Sequence, residues 1–237
     1  MKKFNIYNAL FLALYIFIIT SCNGDDDENS TKMGYFPKSI TATTISDGSS
    51  ETITFNYNEN NQIIRLKGAE SEATFGYNET GLITTVDIVN SLESYSIQYN
   101  GNVVTSFTDV NTNDVFDVNY SSGTYNFDGV SRTFDTANRL INSGSVLSIE
   151  YNANSGPFNE VDFQPVLFFL GGDSIIRGSY FFAVNEVTSF TIPLGGELTF
   201  QTTRDDNNNI IEVSAVSSDD VEIYSYTITY EERIINL

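Results

Sequence analysis

Histidine and tryptophan are both absent from the 237 residues, and there is one cysteine. Imidazole is the commonest general base and metal ligand near neutral pH. Its absence removes Ser-His-Asp and Cys-His hydrolysis, His-ligated zinc and most haem ligation from consideration. A single cysteine closes no internal disulfide, so the fold must rest on packing and backbone pairing. Basic residues are scarce too, at 11 against 31 acidic ones, for a net charge of −20. A field of that sign repels phosphate backbones and anionic headgroups, which argues against nucleic acid as a partner. Neither a resident cofactor nor a metal centre is expected.

Long apolar runs are confined to the amino terminus. Lys2 and Lys3 precede an uninterrupted run from Ala9 to Ile19, and Ile19-Thr20-Ser21-Cys22 closes the segment with small residues. This is the layout of a signal peptide over residues 1–21. The run is too short for a bilayer core that needs ~20 apolar residues. Its removal leaves 9 basic and 31 acidic residues, a net charge of −22. After Cys22 the run Asn23-Gly24-Asp25-Asp26-Asp27-Glu28-Asn29-Ser30 offers nothing to pack, so 22–34 reads as a solvated tether.

From Ile40 onward the period is two: Ile53, Phe55 and Tyr57 alternate with Thr52, Thr54 and Asn56, as in a strand with one buried face. Strand-forming residues are dense and the breaks carry Asn, Asp, Gly and Ser. Phe55-Asn56-Tyr57-Asn58, Phe75-Gly76-Tyr77-Asn78, Ile97-Gln98-Tyr99-Asn100 and Val118-Asn119-Tyr120-Ser121 recur at intervals of 20, 22 and 21 residues, each a strand end running into a turn. Ile149-Glu150-Tyr151-Asn152 and Ile228-Thr229-Tyr230-Glu231 extend the pattern toward the carboxyl end. A lone hairpin is marginal in water, so the units must pair edge to edge. The expected fold of residues 35–237 is all-β: one antiparallel meander of ~12 to 14 strands, strongly curled or partly closed like a barrel, with the last strand able to pair with the first.

Two resemblances add to this. Ile-Thr-Ser-Cys resembles the lipobox of bacterial lipoproteins, which implies lipidation of Cys22, and the acidic run after it resembles the export signal of Bacteroidota-type surface lipoproteins. The aromatic-turn repeat of residues 35 to 237 resembles the tyrosine-aspartate repeat family and, within it, porin-like lipoprotein domains of unknown function, with Tyr-Asn here in place of Tyr-Asp. They imply an outer-membrane, lipid-anchored, surface-exposed β-meander and bring no activity.

One segment departs from the repeat. Val166-Leu167-Phe168-Phe169-Leu170 follows the turn cluster Asn154-Ser155-Gly156-Pro157-Phe158 and ends at Gly171-Gly172. It reads either as a buried strand or short helix plugging the sheet, or as a ligand cleft lined by Phe168, Phe169, Phe181 and Phe182. Other motifs have plainer explanations. Gly172-Asp173-Ser174-Ile175 resembles the serine block of a lipase and esterase family, but lacks the histidine and the α/β setting that chemistry needs. Asp205, Asn207 and Asn209 have calcium-loop spacing, yet Ile210 and Val216 stand where glycine and glutamate belong, and a hairpin turn explains the same letters. Asp135-Thr136-Ala137 and Asp173-Ser174-Ile175 resemble the O-glycosylation acceptor of Bacteroidota-type exported proteins.

The sequence therefore points away from an enzyme. It supports a cell-envelope module that binds a glycan, a protein or a small ligand, or a structural accessory subunit of an envelope complex. A carboxylate-based glycoside hydrolase ranks third, because nothing selects two of the 31 acids.

Overall fold

A computed structural model of the chain describes residues 31–70, 72–89, 93–144, 147–161, 164–169, 183–192 and 196–236. Among them are 17 strands: β1 (Thr31–Thr44), β2 (Ser50–Tyr57), β3 (Ile63–Lys67), β4 (Glu72–Tyr77), β5 (Ile83–Ile88), β6 (Glu93–Asn100), β7 (Val103–Asp109), β8 (Val115–Asp117), β9 (Asn119–Ser121), β10 (Thr124–Phe127), β11 (Val130–Phe134), β12 (Leu140–Ser143), β13 (Leu147–Ser155), β14 (Asn185–Ile192), β15 (Gly196–Arg204), β16 (Ile210–Ser217) and β17 (Glu222–Asn236). All belong to one antiparallel, nearly closed barrel-like sheet whose body spans Met33–Arg233. The pairings follow chain order, and β17 returns to pair with β1, where the Ser39 and Thr229 hydroxyls meet at 2.7 Å. The strands outnumber the ~12 to 14 that the repeat suggests. Short hairpins such as β10–β11 carry too few alternating residues to announce themselves. Strand β1 also begins at Thr31, reaching into the stretch 31–34 that composition assigns to the tether; Gly34 and Phe36 are already buried there.

The alternation becomes a barrel with an apolar inside. Phe55, Ile83, Val86, Ile97, Phe107 and Phe190 are buried, while Thr52, Thr54, Asn56, Gln98, Thr199, Gln201 and Thr203 stay exposed on the other face. A barrel that spans a bilayer presents the reverse pattern, apolar outside and polar inside.

The repeat has a concrete mechanical unit. In the turns after Tyr57, Tyr77, Phe134 and Arg204, the side-chain oxygen of Asn58, Asn78, Asp135 or Asp205 accepts backbone N–H bonds from the second and fourth residues beyond it, at 2.8 to 3.0 Å. The residue between those two donors takes positive φ: Asn61, Gly81, Asn138 and Asn208. Asn and Gly are the residues that enter this region at little cost, which explains the composition of the breaks. The next strand then supplies a clasp. Tyr77, Tyr99, Tyr151 and Tyr230 donate their hydroxyls to the carbonyls of Ile63, Ile83, Leu140 and Ile210, at 2.6 to 2.9 Å. Each acceptor is the first residue of the preceding strand, and Tyr57 reaches Pro37 in the same way at 2.8 Å.

Inside the barrel runs a plug. Gly156 donates its N–H to Val184 and Phe158 to Ala183, both at 3.0 Å. A Cβ on Gly156 would lie 2.4 Å from the Ala183 carbonyl oxygen, so only glycine lets the two backbones approach this closely. Phe158 is fully buried against Phe55, ring centroids 5.1 Å apart. Farther on, Gln164 accepts from Ile83 N–H at 2.8 Å and donates to the Gly81 carbonyl at 2.6 Å. That pins a 3-10 turn, Pro165–Phe168, which delivers Val166, Leu167, Phe168 and Phe169 into the core. The short-helix form of the expected plug is the one observed.

Candidate functional site

Of the six repeat tyrosines, Tyr57, Tyr77, Tyr99, Tyr151 and Tyr230 make the clasp and Tyr120 does not, and the molecule opens there. Tyr120 matches the other repeat tyrosines in sequence, yet it is 45 % exposed and packs at a tilt against Tyr125, centroids 4.6 Å apart. The reason lies in its strand. β8 pairs with β7, then Val118 turns its side chain into the core while its N–H donates to Thr105 at 2.8 Å, and β9 pairs with β10. Six residues thus share the work of joining the two halves of the ring, and every residue of β8 and β9 is exposed.

Beside this seam lies a cavity of about 340 Å³, lined on its apolar side by Ile88, Phe107, Phe116, Phe127 and Phe169. Tyr95, Glu93 and Asp128 complete the wall. The volume falls at the lower end of the ~300–1,000 Å³ usual for small-molecule sites. Its rings touch one another: Phe107 lies 5.0 Å from Phe127 and 5.7 Å from Phe169, with tilted planes. Phe116, 43 % exposed, stands at the mouth.

Of the residues singled out in the sequence, Phe169 lines this cavity. Phe168 is buried elsewhere, against Phe134 at 5.5 Å. Phe181, Phe182, Cys22, the signal segment and Gly172-Asp173-Ser174-Ile175 lie outside the described residues. The cavity residues on β5 to β10 escape sequence reading because they share the alternation of every other strand. The only local sign was the missing clasp at Tyr120, which needs the structure to be seen.

Two buried residues on neighbouring strands, the first of them packed on the cavity residue Phe169, carry unsatisfied polar atoms. Arg132 on β11 is 5 % exposed, and its guanidinium lies over the Phe169 ring, 5.3 Å from the centroid. Its Nε and Nη1 have no hydrogen-bond partner. Burial pulls its pKa down, but an arginine stays charged. Ser143, 1 % exposed and directly opposite Arg132 in the β11–β12 register, also leaves its Oγ unpartnered.

Arg65 Nε and Ser189 Oγ are likewise without a hydrogen-bond partner, whereas two acidic clusters are fully engaged. Glu186 on β14 accepts from Asn152 at 2.8 Å, Asn154 at 2.7 Å and the Thr202 hydroxyl, and sits 3.3 Å from Arg204. Burial pushes this carboxyl up, but those bonds and the Arg204 charge outweigh it and hold the pKa at about 2. Asp205 likewise receives donors on both oxygens, from Asn207 and Asn209 N–H and from Asn209 Nδ2 at 3.1 Å. Oxygens that face N–H groups do not face a cation, and no group of three metal-ligating side chains occurs among the described residues. The clasp tyrosines Tyr57, Tyr99, Tyr151 and Tyr230 have their phenol pKa raised by burial, so they remain hydroxyl donors to the carbonyls they clasp.

No protein-family model and no curated protein matches the chain. Among solved structures, a porin-like protein from Bacteroides uniformis is similar at 13 % identity and a TM-score of 0.37, covering 82 % of this chain and 98 % of its own. A porin-like protein from Bacteroides vulgatus shows 10 % identity and a TM-score of 0.37, covering 84 % and 99 %. At such identities and scores the likeness assigns no activity, ligand or partner.

Proposed function

We propose that this protein is a non-catalytic binding module of the bacterial outer membrane, tethered through a lipid on Cys22, displayed on the cell surface, and taking an apolar small ligand at the β7–β10 seam. The observation that carries the reading is the ring-lined cavity beside Tyr120, the repeat tyrosine that makes no clasp. The Asn58, Asn78, Asp135 and Asp205 side chains, by contrast, are spent on turns. The polar outer face of the barrel suits attachment by acyl chains on a tether, since a lipid at ~0.8 kcal/mol per buried methylene anchors a body that cannot itself enter the bilayer.

Binding is tested with the neutral dye N-phenyl-1-naphthylamine, whose fluorescence rises in apolar pockets. Enhancement by the native protein and its loss in Phe116→Glu are expected; equal signals from both would refute the site. Mass spectrometry of the amino-terminal peptide is expected to show acylated Cys22, and protease shaving of intact cells is expected to remove the domain.

A second reading, an accessory subunit of an envelope complex, is favoured by the exposed Val110, Val115, Phe116 and Tyr120 around the same seam. Co-purification of one stoichiometric envelope protein, lost with Val115→Glu, would favour it. A glycosidase would have to use Glu93 and Asp128, the two acids of the cavity. Glu93→Gln and Asp128→Asn are expected to leave ligand binding in place.

A further inference from the structure

A charged group buried without a counter-charge is costly, and proteins remove such groups unless something binds there. Arg132 is that group. Asn58, Glu186 and Arg233 show how this chain normally treats polar side chains: Arg233, for instance, is met by Asn61 Oδ1 at 2.8 Å, the Asn58 carbonyl at 2.6 Å and Glu231 at 2.9 Å. Among the described residues the face of Phe169 is what Arg132 meets, and its Nε and Nη1 are left without a hydrogen-bond partner. Its cross-strand partner Ser143 holds a second unpartnered donor, and cross-strand pairs place their side chains within reach of a common atom. In a chain with 31 acidic residues, none of them forms an ion pair with this guanidinium among the described residues.

We propose that Arg132 and Ser143 form an anion subsite, and that the ligand of the seam cavity is an apolar monocarboxylate whose head meets Arg132 while its body lies among Phe107, Phe127 and Phe169. The proposal rests on the seam cavity being a binding site and names its ligand class. A single guanidinium compensates a single negative charge, so a monoanion fits when its head is turned to Arg132 and away from Glu93 and Asp128 on the cavity wall, whereas a phosphate dianion would bury a charge without an answer. Guanidinium and carboxylate also match in geometry. Phe169 couples the two parts, since one ring both lines the cavity and carries Arg132. Arg132 and Ser143 do not themselves line the cavity, so the Phe169 ring must turn aside for one ligand to reach both parts.

The test is calorimetric titration of the full chain in lipid nanodiscs, against empty discs, with 4-phenylbutyrate and its uncharged counterpart 4-phenylbutyramide. The carboxylate is expected to bind the native protein at least ten times more tightly than the amide. Arg132→Met should lose that preference while binding the amide as before. The ligand-free Arg132→Met protein should also melt higher, by about 2–4 °C, because an unpaired buried charge has been replaced by an apolar chain of similar length. Ser143→Ala, which leaves the charge alone and keeps the proposal testable if Arg132→Met does not fold, should weaken the carboxylate about fivefold. Equal affinity for the two probes would overturn the anion subsite and leave the cavity standing as a binding site. Binding of neither probe would overturn both.

Discussion

The tyrosine hydroxyls show how single atoms set the repeat. Tyr77 donates to the Ile63 carbonyl at 2.6 Å, at the first residue of its strand. Tyr77→Phe is expected to cost about 1 kcal/mol in urea unfolding, with the ring still packed; no loss would show that water takes over the bond. Glu186 gives the fold an acid limit. Its folded pKa, at about 2, lies below the 4.5 of a free glutamate. Its stabilisation is therefore complete above the unfolded value and is lost as pH falls from there through the folded one. Glu186→Gln should lower stability at neutral pH by about 2 kcal/mol and flatten the decline between those two pH values, which acid titration of the unfolding midpoint would reveal.

Among the elements, the turns were the most legible in sequence and the plug the least. Asn58, Asn78 and Asp205 announced their turns by residue type, because an Asx side chain that bonds backbone two and four residues on needs nothing from the rest of the molecule. Asp205→Ala should cost about 1 to 2 kcal/mol by freeing two N–H groups, and calcium should leave the unfolding midpoint of the native protein unchanged. Asp135 does the same work, yet Asp135-Thr136-Ala137 resembles a modification motif and carries fewer Asn and Asp letters than the turn after Arg204. The plug could be sensed as apolar but not shaped: a run such as Val166 to Phe169 fits strand and helix alike, and the deciding contacts, Gln164 with Ile83 and Gly81, span more than 80 residues. Arg132 was invisible for the same reason, as the meaning of a basic residue at an inward position depends on what fails to face it.

At the scale of the molecule, alternation predicted a curled sheet and the structure shows how far it curls, to the contact of β17 with β1. Which face is wet follows from the same alternation. A chain beginning at Thr31 is expected to remain monodisperse in buffer without detergent, as sedimentation velocity would show; a requirement for micelles would place the barrel in the bilayer instead. The clasped hairpin has a consequence for history as well as stability. Each turn is closed by its own residues, and each tyrosine reads only the strand beside it, so a duplicated hairpin would bring its own fastenings. The circumference of such a ring can grow or shrink by whole units through copying and loss of short stretches of gene, and the unclasped seam at Tyr120 is where a misfit in size would be taken up.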